Sequence, residues 1–145
     1  MKRAFSSCLL GCECRYDGRG ALAPDAQSLF TQGGGISICP EQMGGLSTPR
    51  EPAEIVGGDG FDVLDGKARV MTRSGDDVTD AFLRGAQEAL AILKSTGVTE
   101  VWLKQKSPSC GSLEIYDGSF SGEKRTGVGV TTALFSREGL TIHSA

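Results

Sequence analysis

The chain lacks any apolar run approaching the roughly 18 residues of a membrane-spanning helix, so no helical span is expected. It lacks a signal-peptide pattern as well. Met1-Lys2-Arg3 is basic, but the run Ala4 to Leu10 is broken by Ser6 and Ser7 and followed at once by Arg15 and Asp17. A soluble, cytoplasmic protein is the expectation. Basic charge is not in excess: the formal net charge is -3 and the pI about 5.2, which weighs against gripping nucleic acid mainly through a basic surface. A local basic patch would be hidden in that sum, and a small substrate is the better default. There is a single histidine, His143, near the C-terminus, which reads as a surface or strand residue rather than a metal ligand. No Cys-x-x-Cys pair of the kind zinc ordinarily uses occurs, and no nicotinamide, flavin or adenosylmethionine motif is visible. Repeats, linkers and low-complexity segments are also missing.

What is present fits one domain. A length of 145 residues supports one hydrophobic core and is too short for two domains that each fold alone. Glycine, at 21 residues, is about twice its average share, which favours tight turns and close backbone approaches. Five cysteines in a reducing compartment are no disulfide framework, and the odd count would leave one over. They are core residues, reactive thiols or metal ligands, and a cysteine taken alone is most often simply buried.

The pattern along the chain alternates strands and helices. Residues 3 to 10 form a short apolar run ended by Gly11, and Asp25 to Phe30 reads as a helix introduced by Pro24. Ile36 to Cys39 is a second strand halted by Pro40, after which Pro40 to Pro52 reads as loop because of Gly44-Gly45, Pro49 and Pro52. Ala53 to Val56 and Lys67 to Thr72 pair as a hairpin across a glycine- and aspartate-rich connection. Val78 to Lys94 is the clearest helix, with Val78, Ala81, Phe82, Gly85, Ala89, Ile92 and Leu93 at helical spacing, Asp76 or Asp77 as cap and Gly97 as stop. Glu100 to Lys104 is a strand, a polar glycine-rich stretch runs to Arg125, Val130 to Arg137 is a last helix and Leu140 to His143 a last strand. This order predicts an α/β domain, residues 1–145, with an open, largely parallel or mixed sheet and helices on both faces.

Cys8 and Cys39 close the first two strands of that reading, and Cys110 lies beyond the strand that carries Trp102. Ligands of open α/β sheets sit outside the carboxyl ends of strands, so the three cysteines can converge there. Three thiolates without an obvious fourth partner suit a soft metal site with one open position. Cys8, Cys12 and Cys14 form a local cluster, but Cys-x3-Cys-x-Cys is no standard zinc or ferredoxin spacing. On these residues alone, a metal site and a set of buried or reactive thiols stand level.

Three motifs in order tip that balance. Ser6-Ser7-Cys8-Leu9-Leu10-Gly11 with Arg15-Tyr16-Asp17-Gly18, then Cys39-Pro40-Glu41 with Gly44-Gly45-Leu46 and Pro49-Arg50, then Lys106-Ser107-Pro108-Ser109-Cys110-Gly111 resemble the thiouracil desulfurase (TudS) family. The likeness runs from Ser6 to Gly127-Val128-Gly129-Val130. It implies a 4Fe-4S cluster held by Cys8, Cys39 and Cys110 with one iron free of protein ligands, Glu41 and Ser107 as catalytic residues, and a thiolated pyrimidine as substrate. Cys12 and Cys14 fall outside the implied ligand set, as neighbours or accessory thiols.

The implied chemistry suits the residue types. An open iron is a Lewis acid for a soft thiocarbonyl sulfur, and hydrolysis of the C–S bond needs no change of oxidation state. Glu41, two residues from Cys39, is the candidate acid/base, and Ser107 orients water or substrate. Their bland alternatives are a loop carboxylate paired with Arg15 or Arg50 and a turn serine before Pro108. Arg15, Tyr16, Asp17 and Ser109 are candidate substrate contacts, with a simple pairing of Arg15 and Asp17 as the alternative for those two. Thr126 to Val130 precedes a helix, where its amides either face an anion or make a packing turn. Competing functions are sulfur removal from thiouridine in RNA, a non-catalytic cluster sensor or carrier, and a sulfurtransferase using Cys12 or Cys14 as a persulfide.

Overall fold

The computed structural model describes residues 2–145. Along the chain run β1 (Lys2–Ser6), a 3-10 turn (Ser7–Leu10), α1 (Pro24–Gly33), β2 (Ile36–Ile38), α2 (Pro40–Met43), β3 (Ala53–Val56), α3 (Gly60–Leu64), β4 (Arg69–Thr72), α4 (Thr79–Thr96), β5 (Val98–Leu103), β6 (Glu114–Tyr116), β7 (Lys124–Thr126), α5 (Val130–Arg137) and β8 (Thr141–Ser144).

Strands β2, β1, β5 and β8 lie side by side in that order, all parallel. A parallel sheet must be covered on both faces, and this one is. Ala4, Val101 and Leu103 meet Ala89, Leu90 and Leu93 of α4 and Phe135 of α5 on one side. On the other, Phe5 and Trp102 meet Ala26, Leu29 and Phe30 of α1. Phe5 stacks on Trp102 and Trp102 on His143, with ring centroids 5.1 and 4.3 Å apart. His143 is thus a strand residue, 3.2 Å from Glu100.

α4 is the organiser of the second half of the core. Its Phe82 and Ala86 pack with Ile55, Val63, Val70, Ile115 and Val130, joining the antiparallel β3–β4 pair to the sheet. Asp77 accepts the N–H of Thr79 at 2.9 Å, and Gly97 closes the helix at a φ of 73°.

Three elements depart from the sequence reading. Pro40 to Met43 forms a helical turn rather than loop, with proline in its first turn and Cys39, expected as the end of a strand, as its N-cap. α3 interrupts the glycine-rich connection, started by a capping box between Asp59 and Asp62. β6 and β7 pair as a hairpin inside the stretch read as irregular. Each is too short to carry a periodicity.

The turn α2 can lie on α4 only because glycine stands at both contacts. A Cβ on Gly44 would fall 2.0 Å from the Ala81 carbonyl oxygen, and one on Gly85 would fall 1.8 Å from that of Pro40. Backbone cannot yield as a side-chain tip can. Gly85→Ala is therefore expected to cost roughly 1–3 kcal/mol of stability as overpacking and to push the Cys39-Pro40-Glu41 segment outward. Denaturant midpoints check the first effect, and iron retention by the same variant checks the second.

Candidate active site

Each of the three cysteines sits where a strand hands the chain to a sharp turn. Cys8 lies in the 3-10 turn after β1, closed by Gly11 at a φ of 94°, whose N–H reaches the Cys8 carbonyl at 3.1 Å. Cys39 follows β2. Cys110 follows β5 at the close of a turn in which the Ser107 hydroxyl oxygen accepts the N–H groups of Ser109 and Cys110, at 3.0 and 3.2 Å. Ser6, at the end of β1, binds across to the first residue past β5, its hydroxyl accepting the Lys104 N–H at 3.2 Å.

Helix α5 fixes the Cys110 turn. The N–H groups of Val130 and Thr131 donate to the carbonyls of Pro108 and Ser109, each at 2.8 Å, and the Thr132 hydroxyl donates to that of Cys110 at 2.9 Å. Gly129 presses so close that a Cβ would lie 2.4 Å from the Ser109 carbonyl. The Thr126 to Val130 segment is therefore the packing turn of the two readings. Within it the N–H groups of Gly129 and Val130 donate to the carbonyls of Gly111 and Pro108 in the cysteine loop, and that of Gly127 to the carbonyl of Leu113.

These turns wall a cavity of about 570 Å³, within the range of small-molecule sites, lined by Cys8, Cys14, Cys39 and Cys110 together with Glu41 and Ser107. Cys14, read in the sequence as a neighbour of the ligands or an accessory thiol, is only 2 % exposed and lies beside the thiols of Cys39 and Cys8. Cys12 points out to solvent. Arg15 and Tyr16 line the cavity, whereas Asp17 and Ser109 do not. Asp17 is exposed and accepts the Arg19 N–H, with no ion pair to Arg15, and Ser109 is buried with its hydroxyl 2.7 Å from that of Thr131.

The catalytic candidates touch. The Ser107 hydroxyl donates to Oε1 of Glu41 at 3.0 Å, and the Arg50 guanidinium holds Oε2 in an ion pair, with its Nε at 3.0 Å. Arg50 also donates to the carbonyls of Cys14 and Ser47. So Glu41 does pair with Arg50, and Ser107 does shape its own turn. Those structural ties aim the two side chains at each other beside the thiols, so the bland readings hold and the geometry is compatible with the functional ones.

Charge around the cavity runs opposite to that of the whole chain. Arg15, Arg50, Arg73, Lys104 and Lys106 line it against Glu41, Glu51 and Glu54. Burial, then the nearby Arg15, lower the pKa of Lys104. A basic lining favours an anionic cofactor.

Without metal the thiols of Cys14, Cys39 and Cys110 hold their protons. Burial, and next the charge of Glu41, push Cys110 up to about 12. At Cys14 the hydrogen bond with Cys39 lowers the pKa, but that with Cys8 and burial outweigh it, leaving about 12. The bond to Cys14, then burial, hold Cys39 far above its usual range. Because the folded state raises the pKa of Cys110, the stability this group contributes is whole below about pH 8.5 and is lost as the pH rises toward 12. Apoprotein stability should fall above pH 9 by about 1.4 kcal/mol per pH unit from this thiol. Denaturant titrations at pH 7, 8.5 and 10 test it, with Cys110→Ala expected to flatten the fall.

The donor set fits an iron-sulfur cluster better than a lone ion. Among the described residues no three His, Cys, Asp or Glu side chains come together as one metal ion would require. A cluster takes each thiolate on a separate iron, and the thiols of Cys8, Cys14, Cys39 and Cys110 share the lining of one cavity here.

A family model described as 2-thiouracil desulfurase matches residues 4–145. The chain belongs to that family. It is 50 % identical over 139 residues to YbbK of Bacillus subtilis (strain 168), an uncharacterized protein, covering 96 % of this chain and 92 % of that relative. Among solved structures it is similar to the 4Fe-4S-dependent thiouracil desulfidase TudS, with a TM-score of 0.85 and 42 % identity over 99 % of this chain and 89 % of the other.

Sequence reasoning missed part of the cavity wall. Glu54, Tyr116 and Phe120 line it from the β3–β4 and β6–β7 hairpins. Nothing in their spacing marks them, since both hairpins reach the site only through tertiary packing.

Proposed function

We propose that this chain hydrolyses 2-thiouracil, or a related thiolated pyrimidine, to uracil and sulfide, with a 4Fe-4S cluster on Cys8, Cys39 and Cys110. The observation that carries the reading is the Glu41–Ser107 contact on the wall of the cavity that the three thiols also line. A cluster carrier has no use for such a pair. Five free cysteines suit a reducing compartment, in keeping with a cytoplasmic enzyme.

When bound, the cluster supplies one iron free of protein ligands, a Lewis acid for the thiocarbonyl sulfur. The protein supplies the rest. The overall change replaces the ring C=S by C=O, with water providing the oxygen and both hydrogens of the hydrogen sulfide released. No electrons are gained or lost. Glu41 takes a proton from the attacking water and returns one to the departing sulfur. Arg50 holds one carboxylate oxygen and Ser107 the other, so the base is positioned before substrate enters. The basic lining offsets the negative charge that builds on the substrate during attack.

Anaerobically prepared holoprotein should release uracil and sulfide in equal amounts from 2-thiouracil with no added electron donor. An absolute need for a reductant at each turnover would refute the hydrolytic course.

A further inference from the structure

We infer that Phe120 is the wall on which the substrate ring rests, and that Glu54 is a positioning residue that holds it there; the inference rests on the thiolated-pyrimidine reading. Glu54 projects from β3 and is only 8 % exposed. Its Oε1 accepts two backbone N–H groups from the tip of the β6–β7 hairpin, Gly118 at 2.9 Å and Phe120 at 3.2 Å. Hydrogen bonds to a carboxylate from which water is largely excluded are strong ones, so the tip is fastened to β3 rather than merely resting on it.

The tip is built for that attachment. Gly118 has a φ of 93°, and a Cβ there would lie 2.5 Å from the Ile55 carbonyl oxygen. Only glycine permits so close an approach. Phe120 has a φ of 55°, a left-handed backbone that a bulky L-residue rarely adopts. Residues held in such conformations persist where the surroundings over-determine them, often at ligand sites. A hairpin tip that served only to join two short strands would need neither a buried carboxylate beneath it nor an aromatic in a strained backbone. Both features place Phe120, half-buried, in the lining of the cavity that holds the thiols and Glu41, next to Tyr116 and Glu54 itself. A flat, uncharged heterocycle is the ligand that an aromatic face takes best.

The test uses holoprotein at matched iron content, with 2-thiouracil as substrate. Phe120→Ala should raise KM about tenfold or more, as loss of a base–aromatic stack does, while kcat per bound iron changes far less. Phe120→Leu should lie between. Glu54→Ala should reproduce the KM rise and speed hydrogen exchange at the Gly118 and Phe120 amides. Glu54→Gln keeps an oxygen aimed at both amides and should recover most of the loss. If the unsubstituted protein turns over and KM in Phe120→Ala is unchanged, the ring wall is wrong and the desulfurase reading stands. Unchanged exchange at those amides in Glu54→Ala overturns the positioning role. If the unsubstituted holoprotein releases no uracil, the desulfurase reading falls and takes this inference with it.

Discussion

Glu41→Gln is expected to keep its iron and lose turnover by about 100-fold or more, the range for a deleted general acid/base. The substitution preserves the shape of the side chain and one oxygen that can still meet Ser107 or Arg50. It removes the proton acceptor. The geometry sets up a sharp contrast, because the same carboxylate is the anchor of Arg50, which in turn binds the carbonyls of Cys14 and Ser47. Were Glu41 only that anchor, the Gln variant would loosen the cysteine loop, lower iron content and leave activity per iron nearly unchanged. Turnover normalised to bound iron separates the two, and near-normal activity in that measure removes Glu41 from the mechanism.

Cys39→Ala is expected to abolish a stable cluster, and so are Cys8→Ala and Cys110→Ala, since two thiolates leave too few anchors. Cys12→Ala should retain iron, because that thiol faces solvent. Cys14→Ala should retain it too, and this is the more demanding comparison. Cys14 is buried beside both Cys8 and Cys39 in the lining of the same cavity. Loss of iron in Cys14→Ala would add it to the ligand set, and full iron content in Cys39→Ala would sink the assignment. Iron and sulfide counts after anaerobic reconstitution decide both.

The parts of this fold that the sequence revealed are those whose contacts are local or periodic. α5 begins and ends at the residues its pattern marked, Val130 and Arg137, and α4 differs from its reading by one residue at the start and two at the end. The alternation of strands and helices was enough for a sheet covered on both faces. What stayed hidden depends on partners far along the chain. α2 exists because Gly85 lets it rest against α4, a fact invisible in Pro40 to Met43. Cys14 was open between a neighbour of the ligands and an accessory thiol, because its spacing matched no standard cofactor pattern, and the 3-10 turn after β1 folds it back among the other thiols. Arg50 appeared only as one partner for Glu41 among two. Its place as the link between the carboxylate and the Cys14 segment is a matter of three-dimensional position. Ser109 and Asp17, chosen for nearness to the motifs in sequence, show the converse, since adjacency along the chain put neither into the cavity.

The strand order carries a consequence for biogenesis. β5 lies directly against β1, and β1 also pairs with β2, so the three cysteine turns stand together only once the middle of the sheet is built. Cys8 and Cys39 come from the first third of the chain and Cys110 from the last. A nascent chain that has not yet released β5 can present two of the three thiols and no more. Pairings of such long sequence separation are slow to form. A cluster held by all three turns would therefore be loaded only after β5 has taken its place against β1.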